Sequence, residues 1–201
     1  EKPYGIQHDG QIWVACNYRF HPAVKVLKDN LYKVGKVLYS RLYYSHYLPY
    51  QRENWQEYMK DTNIIMDAGW HFVDLALWLF GNCKDLHKAS RGLGFYPFHV
   101  FAIIDMQLEK SEQCMIYLDY LRRDKSWGIE VVGTEGTLIL NAKSRKPEHV
   151  EVWECAKNYY QKIYAGELVG DEMYRNQLNY LLKETWESNI DEALEVMKIC
   201  S

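Results

Sequence analysis

No stretch of the 201 residues approaches the roughly 20 consecutive apolar residues that a membrane-spanning helix needs. The first residues, Glu1-Lys2-Pro3-Tyr4-Gly5, lack the basic-then-apolar character of a signal peptide. They also lack an initiator Met, so the sequence reads as beginning inside a longer protein. There is no C-x-x-C pair. The five cysteines (Cys16, Cys83, Cys114, Cys155 and Cys200) are odd in number and far apart, which predicts reduced thiols in a cytoplasmic protein. No metal site is expected. Lys and Arg form no stripe interleaved with aromatics, and a net charge of −3 with both signs interspersed argues against a nucleic-acid surface. Internal repeats and low-complexity segments are absent. So is a G-x-G-x-x-G turn: Gly92-Leu93-Gly94 is the one G-x-G, with neither a third glycine nor a helical pattern after it.

Aromatic residues, by contrast, are plentiful. Seven Trp and 17 Tyr among 48% hydrophobic residues predict a thick core, a large subunit contact or a sugar-type pocket. Gln11–Cys16 reads as a short buried strand. Pro22 sits where a first-turn proline opens a helix, expected over 23–32 and stopped by Gly35. Val37–Tyr47 alternates as a long strand, with Tyr39, Tyr43 and Tyr47 on one face and Leu42, Tyr44 and His46 on the other. A polar segment over 51–63, a loop or a short helix, precedes a helix over 66–80, closed by Gly81-Asn82. Strands are then expected over 86–95, 99–108, 113–121, 128–132, 137–140 and 150–154, joined by short turns. Helices over 172–188 and 190–200 end the chain. This order predicts an α+β fold: a large, mostly antiparallel sheet with helices on one face, leaving the other face for a subunit contact.

The 66–80 helix carries the chemistry. It is apolar nearly all round, yet Asp67, His71, Asp74 and Trp78 stand at i, i+4, i+7 and i+11, along one stripe of a helix with about 3.6 residues per turn. Ionisable groups on a buried helix need partners or a task. A carboxylate one turn before an imidazole can fix its tautomer, and a histidine titrating near neutrality can take and return a proton.

Three motifs occur in an order that resembles the Gfo/Idh/MocA oxidoreductases, NAD(P)-dependent dehydrogenases of sugars, polyols and related compounds. Glu1-Lys2-Pro3 is similar to the family's E-K-P. Asn17-Tyr18-Arg19-Phe20-His21-Pro22 is similar to the N-x-R-F/Y-x-P that ends its last Rossmann strand. Asp67-x-Gly69-x-His71-x-x-Asp74, followed by Trp78-Leu79-Phe80-Gly81, is similar to its D-x-G-x-H-x-x-D helix. Val132–Leu138 matches a late hairpin. The resemblance implies Lys2, Asp67 and His71 as the catalytic group, with Lys2 polarising the reacting oxygen. It implies Tyr18, Arg19 and Asp74 near the substrate, and Lys2 and Pro3 beside the cofactor. It also implies two parts: residues 1–21 as the end of a dinucleotide-binding domain, and 22–201 as a substrate and oligomerisation domain. The Rossmann domain itself is essentially absent. NAD or NADP is therefore expected in the full-length parent and not on this chain alone.

The sequence departs from the family pattern between Pro3 and Gln11, before Asp67 (where Thr62–Met66 replaces consecutive glycines) and between Phe95 and His99. The loop 49–58 is also unusual for a substrate-contacting segment. The expected partners are a small sugar-like substrate and a second copy of the chain, as a homodimer or homotetramer through the sheet face that carries Tyr39, Tyr43 and Tyr47. Arg122-Arg123 reads as a solvated turn. The competing expectation is a non-catalytic binding or dimerisation module that lacks a cofactor domain.

Overall fold

The structure, a computed structural model, describes residues 12–50, 53–94, 96, 98–143, 149–156, 159–167, 171–183 and 186–201. Lys2 and Pro3, with the rest of the E-K-P segment, lie outside them. Eight strands form one sheet: β1 (Val37–Tyr47), β2 (Cys83–Arg91), β3 (Phe101–Leu108), β4 (Ser111–Asp119), β5 (Leu121–Gly133), β6 (Thr137–Lys143), β7 (His149–Ala156) and β8 (Tyr159–Glu167). Their order is β2-β3-β4-β1-β5-β6-β7-β8. Every neighbouring pair is antiparallel except β1 and β4. The sheet is thus the mostly antiparallel one expected, with one refinement. β1 is inserted between β4 and β5, and those two strands are joined around its end through Asp119-Tyr120-Leu121.

The helices are α1 (Pro22–Asp29), α2 (Trp55–Tyr58), α3 (Trp70–Phe80), α4 (Glu172–Leu181) and α5 (Ile190–Cys200). α1 lies over β6, β7 and β8, α3 lies over β1 and β4, and α5 packs against α3. Ala23, Val24 and Leu27 of α1 and Phe72, Leu75, Ala76 and Phe80 of α3 are completely or almost completely buried. They meet Leu42, Ile116, Leu118, Ile129, Leu140 and Val152 from the sheet, all fully buried. Each such aliphatic side chain contributes roughly 1.5–3 kcal/mol by leaving water.

Local chemistry accounts for several boundaries. His21 caps α1 by accepting the Ala23 N–H at Nδ1 (3.2 Å), with Pro22 in the first turn as expected. The helix ends at Asp29 rather than Tyr32, because Asn30 turns its side-chain amide back onto the Val26 carbonyl (2.8 Å) and a 3-10 turn follows. Gly81 closes α3 at φ +85°, and a Cβ there would lie 2.4 Å from Glu109 Oε2, so only glycine fits. In β1 a bulge between Val37 and Tyr39 turns Val37 inward and Leu38 outward. From Tyr39 onward the expected alternation holds.

Three expectations are corrected. Residues 12–16 form no strand: their backbone groups bond mostly to side chains, and the Asn189 N–H donates to the Ile12 carbonyl (3.3 Å). Asn189 accepts the Val14 N–H (2.7 Å) and donates to the Val14 carbonyl (2.9 Å), while Ser188 donates to the Ile12 carbonyl (2.7 Å). β8 was not foreseen, because an edge strand as polar as Tyr159-Tyr160-Gln161-Lys162 has no apolar alternation to betray it. The helix expected over 172–188 stops at Leu181, and Trp186 beyond it stacks edge-on against Trp13 (6.0 Å) instead of extending a helical face.

Two core histidines make the fold acid-sensitive. Burial holds the imidazoles of His21 and His46 at about 4, against an ordinary value of 6.5. Between those values the unfolded chain binds more protons than the folded one, so stability is full above pH 6.5 and falls as the pH drops toward 4. The expected loss is about 3 kcal/mol per histidine. Urea unfolding across this range should show the decline, and His21→Asn, which keeps a capping side chain, should flatten part of it. A midpoint independent of pH would contradict this account.

Candidate active site

The ionisable stripe does not start as an α-helix. Ile65–Gly69 form a π-turn, and regular α geometry begins at Trp70. Asn63 prepares the turn, its side-chain oxygen accepting the Ile65 (2.9 Å) and Met66 (3.1 Å) N–H groups. Gly69 lets the turn press onto β4, since a Cβ there would stand 3.1 Å from Leu118 Cδ1. The wider turn changes the angular relation between Asp67 and His71 from that of an ideal helix. In place of an Asp67–His71 pair, both carboxylate oxygens of Asp67 accept from phenols: Tyr58 at 2.5 Å and Tyr120 through a shorter contact.

The other stripe residues also have partners, most of them on the 3-10 turn Asn17–Phe20. The ring of Tyr18 lies 5.3 Å from that of His71. Arg19 grips Asp74 with two parallel bonds, Nε to Oδ2 at 2.9 Å and Nη2 to Oδ1 at 2.5 Å. Its third nitrogen reaches Glu192 of α5 at 2.5 Å. Arg19 is 7% exposed and Asp74 2%, so this pair is desolvated. Trp78 carries the ammonium of Lys28 over its ring at 3.3 Å.

His71 is half-buried, and among the described residues no hydrogen bond fixes its ring nitrogens. Burial lowers its basicity, and the carboxylates of Asp74 and Asp67 push the other way. Its surroundings are aromatic: Tyr18 also packs against Phe72 (5.6 Å) and Trp127 (5.2 Å), and Phe72 against Tyr44 (5.5 Å). Tyr44 in turn meets His46 (5.1 Å), and His46 meets Tyr120 (4.6 Å). The rings form an arc from His71 round to the phenol that holds Asp67.

The structure thus gathers Tyr18, Arg19, Asp67, His71 and Asp74 at one end of α3, with Arg19 and Asp74 turned toward each other. No periodicity or motif points to Tyr58, Tyr120 and His46. Tyr58 stood in a segment read as an unusual loop, Tyr120 in a strand end, and His46 on the helix-facing side of β1. Among the described residues no group of three or more His, Cys, Asp and Glu side chains is arranged to hold a metal. No helix in them is long and apolar enough to cross a membrane. All five cysteines are free.

An α+β fold built on an eight-stranded, mostly antiparallel sheet is the architecture of the C-terminal domain of Gfo/Idh/MocA enzymes. The sequence agrees: the chain belongs to the Gfo/Idh/MocA family, whose C-terminal domain matches residues 31–139. Solved structures share the fold at low identity. An oxidoreductase from Agrobacterium radiobacter, in complex with NAD+, L-tartaric acid and magnesium, is 16% identical with a TM-score of 0.71, covering 96% of this chain and 61% of its own. The WlbA dehydrogenase from Bordetella pertussis, in complex with NADH and UDP-GlcNAcA, is 15% identical with a TM-score of 0.63, covering 92% and 57%. Biliverdin reductase from Synechocystis, with biliverdin and NADP+, is 14% identical with a TM-score of 0.68, covering 92% and 60%. The chain therefore spans about three fifths of the length of these proteins. A search among curated proteins finds no match.

The Arg19–Asp74 pair carries a stability prediction. Asp74→Ala leaves a buried guanidinium without its main partner and should cost about 3–5 kcal/mol in urea unfolding. Replacing both partners by apolar residues, Arg19→Met with Asp74→Leu, should recover most of that loss. A single-variant loss below about 1 kcal/mol would mean that the pair is solvated in solution.

Proposed function

We propose that this chain is the substrate-binding and oligomerisation part of an NAD(P)-dependent oxidoreductase that interconverts an alcohol and a carbonyl on a sugar or sugar derivative. The observation that carries the reading is His71: a half-buried imidazole left free of hydrogen bonds among the described residues, one turn from a carboxylate clamped by two phenols. A base that must accept the hydroxyl proton and return it needs an open ring nitrogen, and here the carboxylates of Asp74 and Asp67 oppose the loss of basicity that burial causes. Asp67, held in place by Tyr58 and Tyr120, favours the imidazolium once it forms. Arg19 and Asp74 act as positioning residues, aligning the turn that carries Tyr18 with the helix that carries His71. By its match to the family's E-K-P, Lys2 polarises the reacting oxygen.

The residues described here do not fit a dinucleotide. The G-x-G of Gly92 and Gly94 follows β2 in a loop, a Cβ at Gly94 would meet open space, and no helix intervenes among the described residues before β3. A pyrophosphate cradle needs close backbone approach at a strand-to-helix turn. The nicotinamide is accordingly assigned to a dinucleotide-binding domain outside this sequence, with residues 1–21 as its end, in a cytoplasmic enzyme. The outer sheet face is the proposed subunit contact. It exposes Tyr39, Arg41 and Met115 and holds a groove of about 700 Å³ lined by Tyr43, Phe101 and Tyr117.

Two outcomes test this reading. With the dinucleotide-binding domain in place, His71→Ala should lower kcat about 10²–10⁴-fold while leaving the Kd for NADH nearly unchanged. Unchanged turnover would remove His71 as the proton carrier. Titrated calorimetrically with NADH or NADPH, the 201-residue chain alone should show no binding; micromolar affinity would overturn the assignment of the cofactor elsewhere.

A further inference from the structure

The two phenols on Asp67 are not equivalent. Tyr120 stands in the core at 2% exposure, on the link between β4 and β5. Tyr58 is only half-buried and stands on α2, a helix of four residues in which Gln56 and Glu57 are exposed. The backbone bonds of this segment stay within it: the Glu57 and Tyr58 N–H groups donate to the Asn54 carbonyl, and the Met59 N–H to that of Trp55. Among the described residues, side chains hold α2 to the domain. Met59 is buried, Trp55 lies against Tyr96 (5.5 Å) and Phe98 (6.1 Å), and the Tyr58 hydroxyl donates to Asp67 Oδ1 at 2.5 Å.

The consequence reaches His71. Two carboxylates favour its imidazolium, and one of them, Asp74, gives both oxygens to Arg19, which also holds Glu192 of α5. Asp67 is held differently, by two neutral hydroxyls. A phenol donor stabilises the carboxylate and takes a lone pair that an imidazolium N–H would otherwise use. Remove the Tyr58 hydroxyl and Oδ1 opens toward a cation forming one helical turn further on. A bond between two charged groups is roughly twice as strong as a neutral one, so the freed oxygen favours the protonated ring. The other titratable or charged neighbours are Tyr18, ring to ring with His71, and on the sheet side Tyr44, His46 and the Lys125 cation, 5.9 Å from the Tyr44 ring. Among the described residues none of these is hydrogen-bonded to the Asp67 carboxylate, so the two phenols alone decide which of its oxygens are taken.

We propose that Tyr58 is a positioning residue for the proton carrier: its hydroxyl withholds one oxygen of Asp67 from His71, and α2, seated by Trp55, thereby sets how tightly His71 holds a proton. Tyr120 is the fixed half of the clamp and Tyr58 the adjustable half. The inference deepens the reading of His71 as the proton carrier and rests on it for its use in catalysis. The coupling itself is read on this chain alone, so the two can fail separately.

The test follows the His71 ring of this chain, labelled with ¹⁵N at its histidines, through a pH titration by NMR. Tyr58→Phe, which removes only the hydroxyl, should raise the proton affinity of His71 about tenfold, a rise of about one pH unit at the midpoint. Trp55→Ala, which keeps the phenol but loosens the seat of α2, should raise it by a smaller factor. Tyr43→Phe, on the outer sheet face where the hydroxyl bonds Asn141, should leave it unchanged. A folded Tyr58→Phe whose midpoint stays or falls would overturn the proposal. Should that variant not fold, Trp55→Ala decides, and no rise there overturns it. A rise in Tyr58→Phe with none in Trp55→Ala would strike out the part given to Trp55. Midpoints that shift as expected, in a complete enzyme without turnover, would instead count against the oxidoreductase reading alone.

Discussion

Everything at the candidate site depends on one desolvated ion pair. Arg19 and Asp74 each give up hydration to be buried, a cost of several kcal/mol per ion that only good geometry offsets. Here the geometry is a bidentate fork with a third contact to Glu192, so the guanidinium ties the turn 17–20 to α3 and to α5 at once. Residue 18 precedes the arginine and residue 71 precedes Asp74 by one helical turn. Fixing the pair therefore fixes the Tyr18 ring against His71, 5.3 Å away. Coulomb attraction is strong but poorly directional. The planar fork converts it into a registry device, which lysine at position 19 could not do.

A second constraint acts at the other end of the stripe. A plain α-helix from residue 64 onward would aim Asp67 along the same line as His71 and let the two groups satisfy each other. The π-turn sets Asp67 apart, and two phenols from different elements, α2 and the β4–β5 link, hold it there. The consequence is chemical. A carboxylate with both oxygens occupied acts on His71 through its field, not through a hydrogen bond, so the imidazole keeps both nitrogens for other partners. The field of Asp67 and Asp74 raises the basicity that burial lowers.

How much of this could be read from the residues follows from which forces leave a periodic trace. The long strand Val37–Tyr47 and the core helix α3 are legible because alternation and an apolar stripe are required by burial itself. Asp67, His71 and Asp74 were visible for the converse reason: charge on an apolar helix violates that pattern. Tyr58, Tyr120 and His46 are aromatic residues among many aromatic residues, and only the insertion of β1 between β4 and β5 brings His46 and Tyr120 together. The π-turn and the Asn63 cap beneath it depend on how tightly Gly69 meets Leu118, a packing contact with no local signature. β8 was invisible because an edge strand is defined by what it pairs with and not by what it buries. Residues 12–16 read as a strand from their apolar character, but several of their backbone groups are bonded by Ser188 and Asn189, some 175 residues away in sequence.

The same accounting separates the two histidines of the site. His71 and His46 both lose basicity by burial, and each feels two carboxylates that oppose the loss, Asp74 and Asp67 at His71 and Asp67 and Asp119 at His46; His46 also has a cation, Lys125, working in the same direction as its desolvation. A proton carrier must be able to hold the proton it takes, so a ring pushed as low as His46 is unsuited to that task near neutral pH. Two residues of one type, within one aromatic arc, thus differ in their electrostatic surroundings by the Lys125 cation that acts on His46.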